Sequence, residues 1–248
     1  MKLRKTDVPL PTPSAEVVDK LVYANRILYD QGIVDGLGHA SVRHESDPGV
    51  FLLSCNRAPG LVRRRDIVCY GLDGNAVSET TERPYLERFI HAEIYRARPD
   101  VMAVVHSHSP NVIPFASTQT ALRPIFHMAG FLGEGSGHFE IRDVAGDSDM
   151  LIRSTYLGAA LAASLGRHSC VLMRGHGSTV VGTSIEQAVY HAIYTETNAR
   201  LQLAAHSLGD TTFLNAEEAR LCAEANDGQI PRSWSLWIKR LGDVDLDS

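Results

Sequence analysis

Three histidines and one carboxylate occur in this chain at the spacings that a divalent-ion centre needs. The apolar alternation of Ala103-Val-Val-His-Ser-His108 predicts a strand, which puts residues i and i+2 on one face roughly 6.5 to 7 Å apart, so the imidazoles of His106 and His108 can converge on one ion. His176 lies between Gly175 and Gly177, just beyond an apolar run at 169–173, where flanking glycines let the backbone bend and approach a site closely. Three neutral imidazoles leave further positions around a metal open to substrate, the catalytic pattern rather than the structural one. Upstream, Glu87 and His91 are four residues apart on a predicted helix and share a face that can point at the start of the next strand. A carboxylate beside a divalent ion can shuttle a proton. Plainer readings exist for each: His-x-His pairs also occur as surface or hydrogen-bonded residues, and Glu87 can pair with Arg83 or Arg88 on a solvated face, the reading preferred for Glu93. Only the combination is specific.

The elements that must position these groups follow from periodicity. After prolines at 9, 11 and 13, Ser14 can cap a helix with Val17, Leu21, Ala24 and Leu28 at helical spacing, ending near Gly32 and packing on a sheet. Short segments at 39–44, 50–54 and 67–72, the last followed by Asp73-Gly74-Asn75, read as an antiparallel meander. Pro84 suits the first turn of a second helix, and Arg98-Pro99 ends it. In the strand at 101–108, Val101, Ala103 and Val105 fall on one face, and Met102, Val104, His106 and His108 on the other. Ser184 and Gln187 have capping-box spacing before a long helix whose Ala188, Ala192, Thr195, Ala199 and Leu203 form a small-residue face. The order predicts one α/β domain over residues 1–248 around a largely antiparallel sheet.

Composition narrows the function class. The 248 residues are 44% hydrophobic and 21% charged, a folding balance, and the net charge of −5 offers no basic field for nucleic acid or anionic lipid. No apolar stretch approaches the roughly 18 to 20 residues needed to span a bilayer, and the basic N-terminal segment is not followed by a secretory apolar run. Four scattered cysteines without a C-x-x-C pair fit reduced thiols and a cytoplasmic location. Of the eleven histidines, His44, His138, His168, His191 and His206 read as surface or core residues, and His127 in Phe126-His-Met-Ala-Gly130 is left open.

Taken together, Glu87-x-x-x-His91, Tyr95-Arg-Ala-Arg-Pro-Asp100, Ala103-Val-Val-His-Ser-His108 and Gly175-His-Gly177 resemble the class II aldolase/adducin family over nearly the whole chain, from Leu21 to about Leu208. The resemblance implies a three-layer α/β/α domain with a central antiparallel sheet, commonly a homotetramer with active sites at subunit interfaces. Matched by position, it implies that His106, His108 and His176 are the metal ligands and Glu87 the acid/base. Non-enzymatic, adducin-like members lose the metal histidines; this chain keeps them. Mn²⁺ is the first choice of ion and Zn²⁺ the second, since ligand type alone does not separate them.

Departures from the family pattern bear on substrate. Sugar-phosphate members carry Gly-Asn-x-Ser, Thr/Ser-Gly and Ser-Ser donors for phosphate, where this chain has Gly38-His-Ala-Ser41, Ser54-Cys-Asn-Arg-Ala-Pro59 and Tyr85-Leu86. Each lost charge-assisted hydrogen bond weakens phosphate binding by about 1.5 to 3 kcal/mol. The replacements His39, Arg57 and Tyr85, in a pocket that keeps Ser41, suit a flat carboxylated ring, with His91, His127 and Tyr194 as supporting candidates. The pattern resembles the branch that decarboxylates hydroxylated aromatic or pyridine dicarboxylates. The alternatives are an aldolase, epimerase or dehydratase acting on an unphosphorylated substrate, or a binding module with a structural ion.

Overall fold

In the computed structural model, residues 12–133 and 135–247 are described. The expected prolines 9 and 11 and the N-terminal basic segment lie outside them. In chain order the elements are α1 (Ala15–Asp30), β1 (His39–Arg43), β2 (Val50–Ser54), β3 (Ile67–Gly71), α2 (Arg88–Ala97), β4 (Ala103–Ser107), α3 (Ile113–Ala116), β5 (Gly137–Phe139), α4 (Arg142–Ala145), α5 (Thr155–Leu165), β6 (Cys170–Met173), β7 (Gly177–Gly182), α6 (Ile185–Leu208), α7 (Ala216–Asp227) and α8 (Ile230–Arg240). The strands form one sheet in the order β3-β2-β1-β4-β7-β6-β5, antiparallel at every pairing except β5 with β6.

Both faces of this sheet are covered, which makes the three layers. Ala40, Val42, Ala103, Val105, Leu172 and Val180 pack beneath α1, α6 and α8, whereas Phe51, Leu53, Val104, Val171, Met173 and Val181 pack against α2 and α5. The period of two in β4 therefore decides which layer each side chain enters, and His106 falls on the α2/α5 side with Val104. Val101, expected with Ala103, sits before the strand begins and packs in the α2/α5 layer instead.

Three other expectations are corrected. Helix α2 begins at Arg88, not Pro84, with Glu87 as its N-cap residue, because the Tyr85 side chain is drawn back to Ser54 and the Arg57 carbonyl. Glu93 is buried rather than solvated, pairing with Arg96 at 3.2 Å. Leu203 is 37% exposed and leaves the buried face that Ala188, Ala192, Thr195 and Ala199 form. The caps hold in part: Ser14 and Ser184 accept from the backbone N–H of Val17 and Gln187, but the Gln187 side chain accepts from Thr183 N–H, so the second cap is not a reciprocal box. All four cysteines are free thiols, Cys55, Cys69 and Cys170 buried.

Arg43, at the end of β1, ties the sheet to α2. Its guanidinium donates to the carbonyls of Val101, Tyr95 and Arg98 and lies 4.7 Å over the Tyr95 ring. A fixed cation thus meets the carbonyl end of the helix dipole and satisfies groups that the helix leaves unpaired.

His191 on α6 is buried, with Nδ1 2.7 Å from the Val181 carbonyl and its ring stacked 4.0 Å from Phe131. Burial lowers its pKa from 6.5 to about 4. The unfolded chain then binds a proton more readily than the native one, so this contribution is complete above pH 6.5 and is lost as pH falls toward 4. Denaturant titrations at pH 7 and pH 5 are expected to show a loss of about 2 kcal/mol from this group. A His191→Gln variant should lack that portion of the loss; an unchanged pH dependence would assign it to other groups.

Candidate active site

At the ends of β4 and the β6–β7 turn, three histidines and a glutamate meet. The Nε2 atoms of His106 and His108 are 3.2 Å apart and those of His108 and His176 are 3.0 Å apart. Glu87 Oε2 lies 3.7 Å from His106 Nε2 and 3.6 Å from His176 Nε2. One ligand atom from each of the four residues lies within 4.8 Å of all the others. Bond lengths of about 2.0 to 2.2 Å put ligand atoms about 3 to 3.5 Å apart around one ion, so this donor set fits a divalent metal.

The fit extends to the second ring nitrogens. His106 Nδ1 meets the Ser178 carbonyl at 3.1 Å and His176 Nδ1 meets the Met150 carbonyl at 3.1 Å, contacts that require Nδ1–H and leave Nε2 as a lone pair toward the centre. A proton on His108 Nε2 could serve only one of its two Nε2 contacts, whereas a divalent ion serves all three rings. Burial lowers the pKa of His106 well below 6.5 and that of His108 below it, which keeps both rings in the neutral, ligating form. Burial raises the Glu87 carboxyl, but the positive charge that the adjacent His176, His106 and His39 rings carry when protonated outweighs this and holds it below the ordinary carboxylate range. Its Oε1 accepts from Ile152 N–H at 2.9 Å, leaving Oε2 for the centre.

Local sequence explains the convergence. Gly175, at φ +65°, turns the chain between β6 and β7, placing His176 at the tip. Gly177 lets β7 press against the end of β4: a Cβ there would lie 2.1 Å from the Ser107 carbonyl oxygen and 3.0 Å from His108 Cα. Across the sheet, β1 pairs His39 with His106, so the His39 ring lies 5.1 Å from that of His106 and 4.6 Å from Tyr85.

Residues 19–203 match the family model described as the class II aldolase and adducin N-terminal domain. The chain belongs to this family. It is 38% identical over 92% of its length to the decarboxylase TropJ of Talaromyces stipitatus, covering 95% of that protein. It is 34% identical to the 3,4-dihydroxyphthalate decarboxylase of Arthrobacter keyseri, with 80% of this chain and 82% of the relative covered. An aldolase II superfamily protein from Pseudomonas syringae superposes with a TM-score of 0.77 at 25% identity, covering 96% of this chain and 97% of its own. The L-fuculose 1-phosphate aldolase of Glaciozyma antarctica shares the fold, with a TM-score of 0.73 at 23% identity and coverage of 94% and 96%.

The remaining sequence-derived candidates of this class II aldolase family member are distributed unevenly. His39, Ser41, Tyr85 and His91 gather beside the cluster: His39 Nδ1 is 2.6 Å from His91 Nε2, and His91 Nδ1 is 2.6 Å from Ser41 Oγ. The Arg57 guanidinium is engaged elsewhere, donating to the Leu61 carbonyl and pairing with Asp66 at 3.1 Å, while its own carbonyl accepts from the Tyr85 hydroxyl. Tyr194 packs with Tyr190 and Phe126 in the α6 layer. His127 is exposed, and its carbonyl accepts from Asn226. Among the described residues, neither of these two has a hydrogen bond or ring contact with the cluster.

Three supports of the site from outside the sheet were not anticipated: the Met150 carbonyl, Ile152 N–H and Tyr95. The first two are backbone groups of a segment with no periodic signal. Met150 holds φ +66°, an uncommon conformation for a non-glycine residue, while its carbonyl orients His176. Tyr95 was legible, since it follows His91 by one helical step of four residues and so shares its face.

Gly177→Ala should force β7 away from β4. It is expected to destabilise the fold by about 1 to 3 kcal/mol and to abolish stoichiometric binding of Mn²⁺ or Zn²⁺. Denaturant titration and metal analysis measure the two effects; wild-type values for both would contradict the close approach described.

Proposed function

We propose that residues 1–248 form one class II aldolase/adducin-like domain that assembles as a homotetramer in the cytoplasm and decarboxylates a hydroxylated aromatic or pyridine dicarboxylate. The chain is a lyase of its family, as its decarboxylase relatives indicate. The observation that carries the reading is the cluster of three inward Nε2 atoms and the Glu87 carboxylate, found in a chain whose relatives are named decarboxylases.

His106, His108 and His176 would hold a divalent ion, Mn²⁺ or Zn²⁺. When bound, the ion supplies positive charge beside the substrate oxygen on which negative charge grows as CO2 departs. The reaction needs one proton on the ring carbon for each CO2 lost. Glu87, held as a carboxylate with Oε1 tied to Ile152 N–H, takes the proton of the ring hydroxyl on Oε2 and returns it to the carbon that releases CO2. The electron pair of the broken C–C bond goes back into the ring. Tyr85 and His39 form an aromatic wall for the ring, and Arg57 supports that wall through the carbonyl that holds the Tyr85 hydroxyl. Ser41 and His91 stand behind His39 and exclude water.

The deciding experiment combines metal analysis with CO2 release from a panel that includes 3,4-dihydroxyphthalate and hydroxylated pyridine dicarboxylates. His106→Ala is expected to lose bound metal and CO2 release together; full metal occupancy in this variant would remove His106 from the ligand set. Cleavage of sugar phosphates at ordinary enzyme rates, with every aromatic acid ignored, would replace decarboxylation by aldol cleavage. In Glu87→Gln the side chain keeps its size and its bond from Ile152 N–H but has no titratable proton. That variant should retain metal and lose turnover by about 10²-fold or more, and normal turnover would show that another group moves the proton.

A further inference from the structure

Behind the candidate centre, four side chains from β1 and α2 form a buried line of hydrogen bonds. The Tyr95 hydroxyl is 2.7 Å from Ser41 Oγ, Ser41 Oγ is 2.6 Å from His91 Nδ1, and His91 Nε2 is 2.6 Å from His39 Nδ1. Tyr95, Ser41 and His91 are each no more than 1% exposed, so no solvent proton exchanges freely along the line. The β1 register and the helical step from His91 to Tyr95 are what align it.

The direction of the protons is fixed from the Tyr95 end. Among the described residues, Ser41 Oγ is the one acceptor within reach of the Tyr95 hydroxyl, and a buried O–H left without an acceptor costs free energy. With Tyr95 donating to Ser41, the Ser41 proton turns to His91 Nδ1, which must then be the bare nitrogen. His91 accordingly carries its proton on Nε2 and donates it to His39 Nδ1. His39 is left with its own proton on Nε2, the nitrogen that has no partner among the described residues, on a ring lying between those of Tyr85 and His106.

We infer that Tyr95, Ser41 and His91 are positioning residues that lock His39 in its Nε2–H tautomer, and that His39 donates this hydrogen to a carboxylate of the bound ring instead of ligating the ion. The inference rests on the reading of the pocket as one for a carboxylated ring, but the tautomer itself does not. A Nε2 lone pair at this position would repel a carboxylate and compete for the metal; a Nε2–H does the opposite on both counts. The geometry also separates His39 from His106 and His176, whose Nδ1 protons are held by carbonyls so that Nε2 faces the centre bare.

The test uses the protein labelled with ¹⁵N at histidine and loaded with zinc as a diamagnetic ion. Two-bond ¹H–¹⁵N correlations report the tautomer of each ring, the His39 signal being assigned by its loss in His39→Gln. The expected result is protonated Nε2 and bare Nδ1 for His39. Ser41→Ala should shift His39 toward the other tautomer and weaken binding of phthalate, an unreactive dicarboxylate probe, roughly tenfold with zinc content unchanged. Tyr95→Phe should act in the same direction and serves if Ser41→Ala does not fold. Protonated Nδ1 on wild-type His39 overturns the proposal, as does an unaltered tautomer with unaltered phthalate affinity in both variants. Failure of the wild-type protein to bind phthalate, with the Nε2–H tautomer in place, overturns the carboxylate contact and with it the pocket reading, while the positioning line stands.

Discussion

The gathering of three imidazoles around one point is the constraint on which the site depends. Burial of His106 and partial burial of His108 lower both pKa values and favour the neutral rings, and a neutral ring has one nitrogen to donate and one to ligate. The protein settles that choice with backbone. Carbonyls of Ser178 and Met150 take the Nδ1 protons of His106 and His176, so the lone pairs on Nε2 face inward. Such an arrangement is unfavourable as a set of protein atoms alone, and it becomes favourable when a cation fills the middle. Ordinary secondary structure thus gathers a donor set that a divalent ion would fit.

The sheet is built to deliver these groups to one end. Strand β4 lies between β1 and β7, so the residues at its end are flanked by His39 on one side and by Ser178 and Thr179 on the other. The α2/α5 layer covers the same face as His106 and brings Glu87 from the N-cap of α2. Arg43 anchors the opposite end of that helix by holding its terminal carbonyls. A shift of α2 along its axis would move Glu87 away from the imidazoles and His91 away from His39 at once, which is why a buried cation at the far end of the helix matters to the chemistry.

The decarboxylase relatives and the sugar-phosphate aldolase neighbour share this scaffold. A metal beside a carbon–oxygen bond and a mobile proton suit either reaction, because both pass through an anion next to an oxygen. In the reading proposed above, the pocket wall would separate the two. Here an imidazole at His39 and a phenol at Tyr85 stand where small phosphate donors would be expected, and they pack at 4.6 Å as a tilted aromatic pair. Flat, apolar walls with a few directed polar atoms recognise a ring better than a flexible phosphate.

The sequence by itself carried the candidates His106, His108, His176 and Glu87 that the structure brings together, the antiparallel meander and both serine caps, because each depends on local spacing: two residues along a strand, four along a helix, a serine before an apolar repeat. It left β7 unread, since Gly177-Ser-Thr-Val-Val-Gly182 begins and ends in glycine and alternates weakly, although this strand is central in the sheet. The last helices, α7 and α8, were likewise unassigned, and Trp234 and Trp237 find their burial only against distant elements. Arg57 shows the same limit in the site, for its type suggested an anion contact while Asp66, nine residues on, had already claimed the guanidinium. Only the tertiary structure decided which carbonyls meet Nδ1 of His106 and His176, that Glu87 precedes α2 with its side chain held by Ile152 N–H, and that Tyr95 reaches Ser41 through α2. Those contacts join residues far apart in the chain, through register and helix docking, and no local period records them.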